Sequence, residues 1–464
     1  PNPNQVGHVP AQRIAKNAAE GSTFAAALLP MVHHCNPASA TVVADNMKFG
    51  LAFSTTDGSL PTLPTAGVGQ QLPSFPAVKE ALEKTYACLG ITCDMVGALG
   101  EVSTDGLIAA STATKCTFAS PPIAGYFPGS DVTEHNALDG DQAAMETALK
   151  TFDFTAATAH YATGGSSTSK GSFRTMKGFS TGAKGKMYDG CPGCPYRHYK
   201  MFYDYYGDFD YADKWVTAAL DKADMSFSNG RHGPNNFSGM HSDARVEAVK
   251  KGTAYMNVWM YAVREFEDAI DDCSTSSIDN NYDAAHAWDE GVAFYAGSLE
   301  GTEGAGSGKM IAALADKRCQ NFGTCGASGS ATSGIAKANI DFFALSAEAR
   351  DYLYSGQCSL VRPVLTEVIK KMTIPLIQGT YRYAYKVGAN GPGGSGANAA
   401  GSNTLLKENA EGAIFAHAVL PLVNTVSASA ATTIYNNMKV GEFSPDKAAV
   451  KAAFESVLPG LGIS

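Results

Sequence analysis

FAAALLPMVHHCNPASATVVADNMKFG (24–50) aligns without a gap on FAHAVLPLVNTVSASAATTIYNNMKVG (415–441), with twelve of 27 positions identical. Just upstream, Lys16, Ala19, Glu20 and Gly21 match Lys407, Ala410, Glu411 and Gly412. Just downstream, AVKEALEKTYACLGIT (77–92) matches AVKAAFESVLPGLGIS (449–464) at eight of 16 positions. Both copies carry helical rather than alternating apolar spacing, so a helical module has been duplicated. A weaker echo at an offset of 120 links Glu247, Lys250, Lys251, Thr253 and Tyr261 with Glu367, Lys370, Lys371, Thr373 and Tyr381. The order A, B, B′, A′ predicts two similar helical lobes, with both ends of the chain packed in equivalent places.

Between the copies the pattern remains helical, for example over 141–160, 211–224, 243–272, 283–299, 334–354 and 360–386. Stretches rich in Gly, Ser, Thr and Pro separate the helices, and residues 388–403 have the composition of a flexible linker. The expected fold is mainly α: helical bundle lobes with an internal pseudo-repeat and long disulfide-stapled loops. The expected divisions are 1–140 (copy A with loops), 141–275 (copy B), 276–390 (copy B′) and 391–464 (linker and copy A′).

Composition narrows the function classes. Of 464 residues, 45% are hydrophobic and only 17% charged, with a net charge of −9. Such a chain can bury a large core, and it has no basic run to attract nucleic acid or anionic lipid. No apolar stretch of about 18 residues is present to span a membrane. The start at Pro1, without methionine or an apolar leader, is expected of a processed chain. Ten cysteines are an even number: Cys35, Cys88, Cys93, Cys116, Cys191, Cys194, Cys273, Cys319, Cys325 and Cys358. The CPGCP segment (191–195) fits neither a thioredoxin motif nor a zinc ribbon. Cys319/Cys325 and Cys88/Cys93 each bracket a short loop, which predicts two local disulfides and an oxidising compartment. The Asn236-Phe-Ser sequon agrees with secretion.

Catalytic signatures are missing. GTEGAGSGKM (301–310) has Glu303 where a P-loop needs glycine, and Met310 where it needs Ser or Thr. No HExxH occurs. The expectation is a non-enzymatic protein.

Oxygen-donor chemistry stands out instead. The run MYDGCPGCPYRHYKMFYDYYGDFDYADKW (187–215) holds seven tyrosines and five aspartates, among them Tyr205, Tyr206 and Asp208. Phenolate and carboxylate oxygens are hard donors that suit ferric iron, although an aromatic loop packed on a helical lobe would have the same composition. Further on, Tyr255, Tyr261, Glu265, Glu267, Asp268, Asp271 and Asp272 crowd one helix and its C-terminal end, where acids oppose the helix dipole. His286-Ala-Trp-Asp289-Glu290 places His286 at i, i+3 and i+4 from two acids, on one helix face. Glu20 and Glu411 are equivalent repeat positions that could be ligands, or simple i,i+4 partners of Lys16 and Lys407.

The CPxC segment with its Tyr/Asp-rich run ending in YADKW, the HAWDEGVAFYAGSLEG helix, and the duplicated AEGxxF…LP…NMKxG ends resemble a known family. They are similar to green-algal iron-assimilating proteins, secreted under iron limitation or high CO2 and related to the phytotransferrins of marine algae. That resemblance implies a periplasmic or cell-wall protein that captures iron as Fe(III) together with carbonate. It also implies a cell-surface uptake partner. The candidate metal ligands are His286, Asp289, Glu290, Glu265, Tyr205, Tyr206, Asp208, Glu20 and Glu411, led by the His-Asp-Glu helix. The rival expectation is a structural or adhesion protein of the algal wall without a metal function.

Overall fold

The structure is a computed structural model. It describes residues 10–47, 75–86, 88–91, 93–96, 98–99, 114–115, 121–169, 171–229, 235–275, 281–354, 356–390 and 402–463. Among these the architecture is helical, with three two-stranded ribbons of two-residue strands.

The first module is α1 (Pro10–Cys35), α2 (Pro37–Met47) and α3 (Phe75–Glu83), followed by the short α4 (Cys93–Val96). The central helices are α5 (Thr133–Asn136), α6 (Leu138–Lys150), α7 (Phe154–Thr163), α8 (Met176–Thr181), α9 (Ala183–Met187), α10 (Arg197–Tyr206) and α11 (Tyr211–Asp221). Next come α12 (Ser242–Lys251) and α13 (Trp259–Thr275), joined through a π-helical stretch, and α14 (Asn281–Ala296). The remainder is α15 (Ile311–Phe322), α16 (Lys337–Tyr354), α17 (Cys358–Asn390), α18 (Asn403–Val426), α19 (Ala428–Met438) and α20 (Lys447–Val457). Local chemistry sets several of the ends. Ser402, Ser427 and Asp446 accept the free N–H groups that open α18, α19 and α20. Left-handed Gly207 and Gly323 close α10 and α15.

The core runs through α13, α14, α16, α17 and α18, which pack in sequence against one another. Trp215, Trp259 and Trp288 are fully buried in it. Burying one such side chain stabilises by about 2–3 kcal/mol. The first part of the Tyr/Asp-rich run forms the helix α10 rather than a loop, because its apolar and aromatic residues recur on one helix face: Tyr199, Phe202, Tyr205 and Tyr206 are buried together. Its end opens α11, where the helical spacing over 211–224 predicts a helix.

The duplication is visible in three dimensions. α1–α2–α3 and α18–α19–α20 correspond element by element, and the equivalent glycines meet equivalent methionines. A Cβ on Gly21 would lie 2.9 Å from the Met47 methyl, and one on Gly412 would lie 2.6 Å from that of Met438. Asn46 and Asn437 each donate to the carbonyl four residues earlier. The copies differ in what covers them. Phe415, Val419 and Leu422 of α18 are buried, whereas their counterparts Phe24, Leu28 and Met31 on α1 are exposed.

Disulfides join Cys35–Cys88, Cys191–Cys194, Cys273–Cys358 and Cys319–Cys325. The expected Cys319–Cys325 loop is present. The expected Cys88–Cys93 loop is not, because Cys88 is bound to Cys35 across α1 and the end of the first module. Cys116 and the Cys93 side chain lie outside the described residues, as does 391–401 of the Gly-rich linker. No described helix is long and apolar enough to cross a membrane.

Candidate metal centre

α14 carries His286 and Glu290 one turn apart, and this is the spacing that joins them: His286 Nε2 lies 3.2 Å from Glu290 Oε1. The third member comes from elsewhere in the chain. The segment 121–132 folds over α14 and ends in the four-residue α5, whose buried His135 sets Nε2 3.3 Å from the same Glu290 oxygen. Ligand atoms of His135, His286 and Glu290 lie within 4.8 Å of one another. Two donors bonded at about 2.1 Å, the zinc value, stand about 3.0 Å apart at a right angle and about 3.4 Å apart at the tetrahedral angle. The two histidine–glutamate distances fall between these limits. Neither ring nitrogen of His135 completes a hydrogen bond, although buried polar atoms ordinarily have a partner.

Asp289 is the anchor that holds α5 in place. It is fully buried and accepts hydrogen bonds from the Tyr126 hydroxyl, the Gly129 and Ser130 amides, and the Ser130 hydroxyl. Arg350 also donates to the Phe127 carbonyl. With its proton committed to Asp289, Ser130 Oγ can only accept from His286 Nδ1, 3.0 Å away. A carboxylate–serine–histidine chain thereby fixes the ring so that Nε2 faces Glu290.

The second carboxylate is Glu265 on α13. Arg174, from the loop before α8, bridges the two acids: Nη2 lies 2.8 Å from Glu290 Oε2, and Nη1 3.6 Å from Glu265 Oε1. Arg264 pairs with Glu265 on its other side. Glu290 therefore turns Oε1 to the histidines and Oε2 to Arg174, so a cation at the histidine corner leaves the arginine contact intact. Tyr261, one turn before Glu265, receives a hydrogen bond from Lys186 at 2.9 Å.

Burial and charge divide the acids. Burial raises Glu290, but the His286 hydrogen bond and the Arg174 charge outweigh it and hold the carboxyl at about 2. Burial, reinforced by the Glu290 charge, pushes Glu265 up to about 7 despite its two arginines. Burial lowers His135 to about 4, so it is a neutral donor at neutral pH. For His286 burial works downward, yet the bond and charge of Glu290 win and raise it. Burial and the Glu265 charge raise Tyr261, which stays a neutral phenol.

The other sequence candidates lie apart from this cluster. Tyr205 and Tyr206 are buried at the end of α10, and the Tyr206 hydroxyl donates to the His417 carbonyl at 2.6 Å. Asp208 accepts from Lys214 at 2.8 Å and from the Ser228 amide at 2.7 Å. Glu20 is exposed on α1. Glu411 pairs with Lys251 at 2.7 Å rather than with Lys407, which turns to Glu247. The acids crowding α13 have protein partners: Glu267 meets Arg362, Asp268 meets Arg264, and Asp271 accepts from Tyr196 and the Gly193 amide of the CPGCP turn. His135 and Arg174 carry no signal in the sequence, since each is a lone residue in a loop-rich stretch.

The model of one protein family, the low iron-inducible periplasmic proteins (Fea1), matches residues 101–343, just over half of the chain. The matched stretch contains His135, Arg174, Glu265, His286 and Glu290. No curated protein and no solved structure matches the chain.

Proposed function

The chain belongs to the family of low iron-inducible periplasmic proteins, and on that footing we propose that it is an iron-binding protein whose metal site is His135, His286 and Glu290. The carrying observation is the convergence of two imidazoles and one carboxylate, drawn from two distant parts of the chain, with His135 and Glu290 buried, His286 half-buried and both nitrogens of His135 lacking hydrogen bonds. Two histidines and a carboxylate form a donor set suited to iron with open coordination positions. Glu265 and the Tyr261 phenol supply harder oxygen donors beside it for Fe(III). Arg174, whose Nε lacks a hydrogen-bond partner, is the residue that would hold a carbonate anion there. The protein acts in this reading as a carrier that hands iron to an uptake partner, not as an enzyme.

The test is titration of chelator-stripped protein with ferric and with ferrous iron. Saturable binding should fall at least tenfold in His135→Gln and in Glu290→Gln, with both variants still folded by circular dichroism. Affinity should also fall as the pH drops below about 7, because metal must displace the protons that Glu265 and His286 then hold. A charge-transfer band on loading with Fe(III) would mark Tyr261 as a ligand, and its loss in Tyr261→Phe would identify the residue. Equal binding by wild type and both variants would contradict the site.

One observation favours the wall-scaffold reading: Arg174 and Arg264 already compensate Glu290 and Glu265 without any metal. Iron binding no better than that of a control protein would select it.

A further inference from the structure

A polar cavity of about 280 Å³ opens between α6, α12, α15, α17 and α18 and shares no residue with the candidate metal centre. Its cationic lining is Lys250, Lys251, Lys309, Lys317, Arg318 and Lys407. Three carboxylates, Glu146, Glu247 and Glu411, face them. Six cations against three anions leave an excess of three positive charges, in a chain whose net charge is −9.

The carboxylates are already shared out. Glu247 serves Lys250, Lys251 and Lys407, Glu411 serves Lys251, and Glu146 lies between Lys250 and Lys309. Lys317 and Arg318 are in none of these ion pairs. Arg318 is only 9% exposed, yet its Nε and Nη1 meet no hydrogen-bond acceptor. Equally buried arginines in this protein do find acceptors: Arg245 donates to the Ala219 and Leu220 carbonyls, and Arg350 to that of Phe127. A buried guanidinium with idle donors, facing a cavity with surplus positive charge, lacks an anion of matching geometry.

We propose that this cavity binds a small, multiply charged oxyanion of the phosphate or polycarboxylate type. Its size is at the small end of ligand sites, which excludes an extended polyanion. Arg318 supplies the fork of donors at the base, and Lys309 and Lys317 supply charge at the mouth. Tyr255 and Tyr383 also line the cavity as neutral phenols, both raised mainly by burial. The glycine-rich stretch that fails as a P-loop contributes through Gly308 and Lys309. Burial and the neighbouring Lys309 charge lower Lys317, a repulsion that a bound anion would relieve.

The experiment is calorimetric titration and thermal melting of the metal-stripped protein in phosphate-free buffer. The probes are sodium phosphate, sodium citrate, and sodium chloride at matched ionic strength. Phosphate or citrate should bind saturably and raise the melting temperature, and the stronger responder identifies the class. Lys309→Gln and Lys317→Gln, both at the solvent side, should each weaken binding by about tenfold, and Arg318→Gln by more. Iron titration should be unchanged in the two lysine variants, which separates this site from the metal centre. A response that chloride reproduces, or unaltered anion binding in both lysine variants, would overturn the proposal.

Discussion

Asp289 and Glu290 are neighbours that the helix turns about 100° apart, and they do different things. Glu290 faces the histidines, while Asp289 spends both oxygens on the segment that delivers His135 and on the serine that orients His286. Asp289→Asn replaces an acceptor oxygen with an NH2 group directed at existing donors, so it should cost about 1–3 kcal/mol of stability. Iron affinity should drop about tenfold, the scale of losing a group that orients a ligand. Glu290→Gln should lose more iron affinity than Asp289→Asn, and it should also lower stability, because it leaves the half-buried Arg174 without its Glu290 carboxylate. Paired melts and iron titrations check this, and an Asp289→Asn variant that melts like wild type would remove the anchoring role. The sequence made the His286–Glu290 pair legible because i,i+4 spacing is a local property. His135 was not legible, because its approach depends on how the 121–132 segment lies over α14. The Tyr205–Asp208 run lies apart from the cluster, and phenols and carboxylates are also good buried hydrogen-bond partners: Tyr206 donates to the His417 carbonyl, and Asp208 accepts from Lys214 and the Ser228 amide.

At the scale of elements, the repeat explains a disulfide that loop length alone misassigns. In the alignment Cys35 falls opposite Val426 and Cys88 opposite Gly460. In the first copy these positions are bonded, with Cα atoms 5.8 Å apart. In the second copy a Cβ on Gly460 would lie 2.5 Å from a Val426 methyl carbon, so the same two points are again in contact. The second copy fills with a valine against a glycine the place that the first copy closes covalently. The double variant Val426→Cys/Gly460→Cys should therefore oxidise to a new disulfide without rearrangement and stabilise by about 2–4 kcal/mol. Thiol titration of the denatured, unreduced variant checks it. Two additional free thiols per chain would show that the modules are not equivalent at this point.

At the scale of the molecule, the helical class followed from apolar spacing, and the likeness of α1–α2–α3 to α18–α19–α20 followed from the repeat. The candidate metal centre lies outside the duplicated terminal modules α1–α3 and α18–α20. It lies within the family-matched residues, where α5, α13, α14 and the Arg174 loop converge, and only tertiary packing brings those four together. In the proposed function, two imidazoles and a carboxylate in this convergence hold iron. X-ray absorption spectroscopy of the stoichiometrically loaded protein tests it most directly, because imidazole rings add a characteristic multiple-scattering pattern to the extended fine structure. Scattering from two histidines is expected in the wild type and from one in His135→Gln. An all-oxygen shell without imidazole scattering would contradict it.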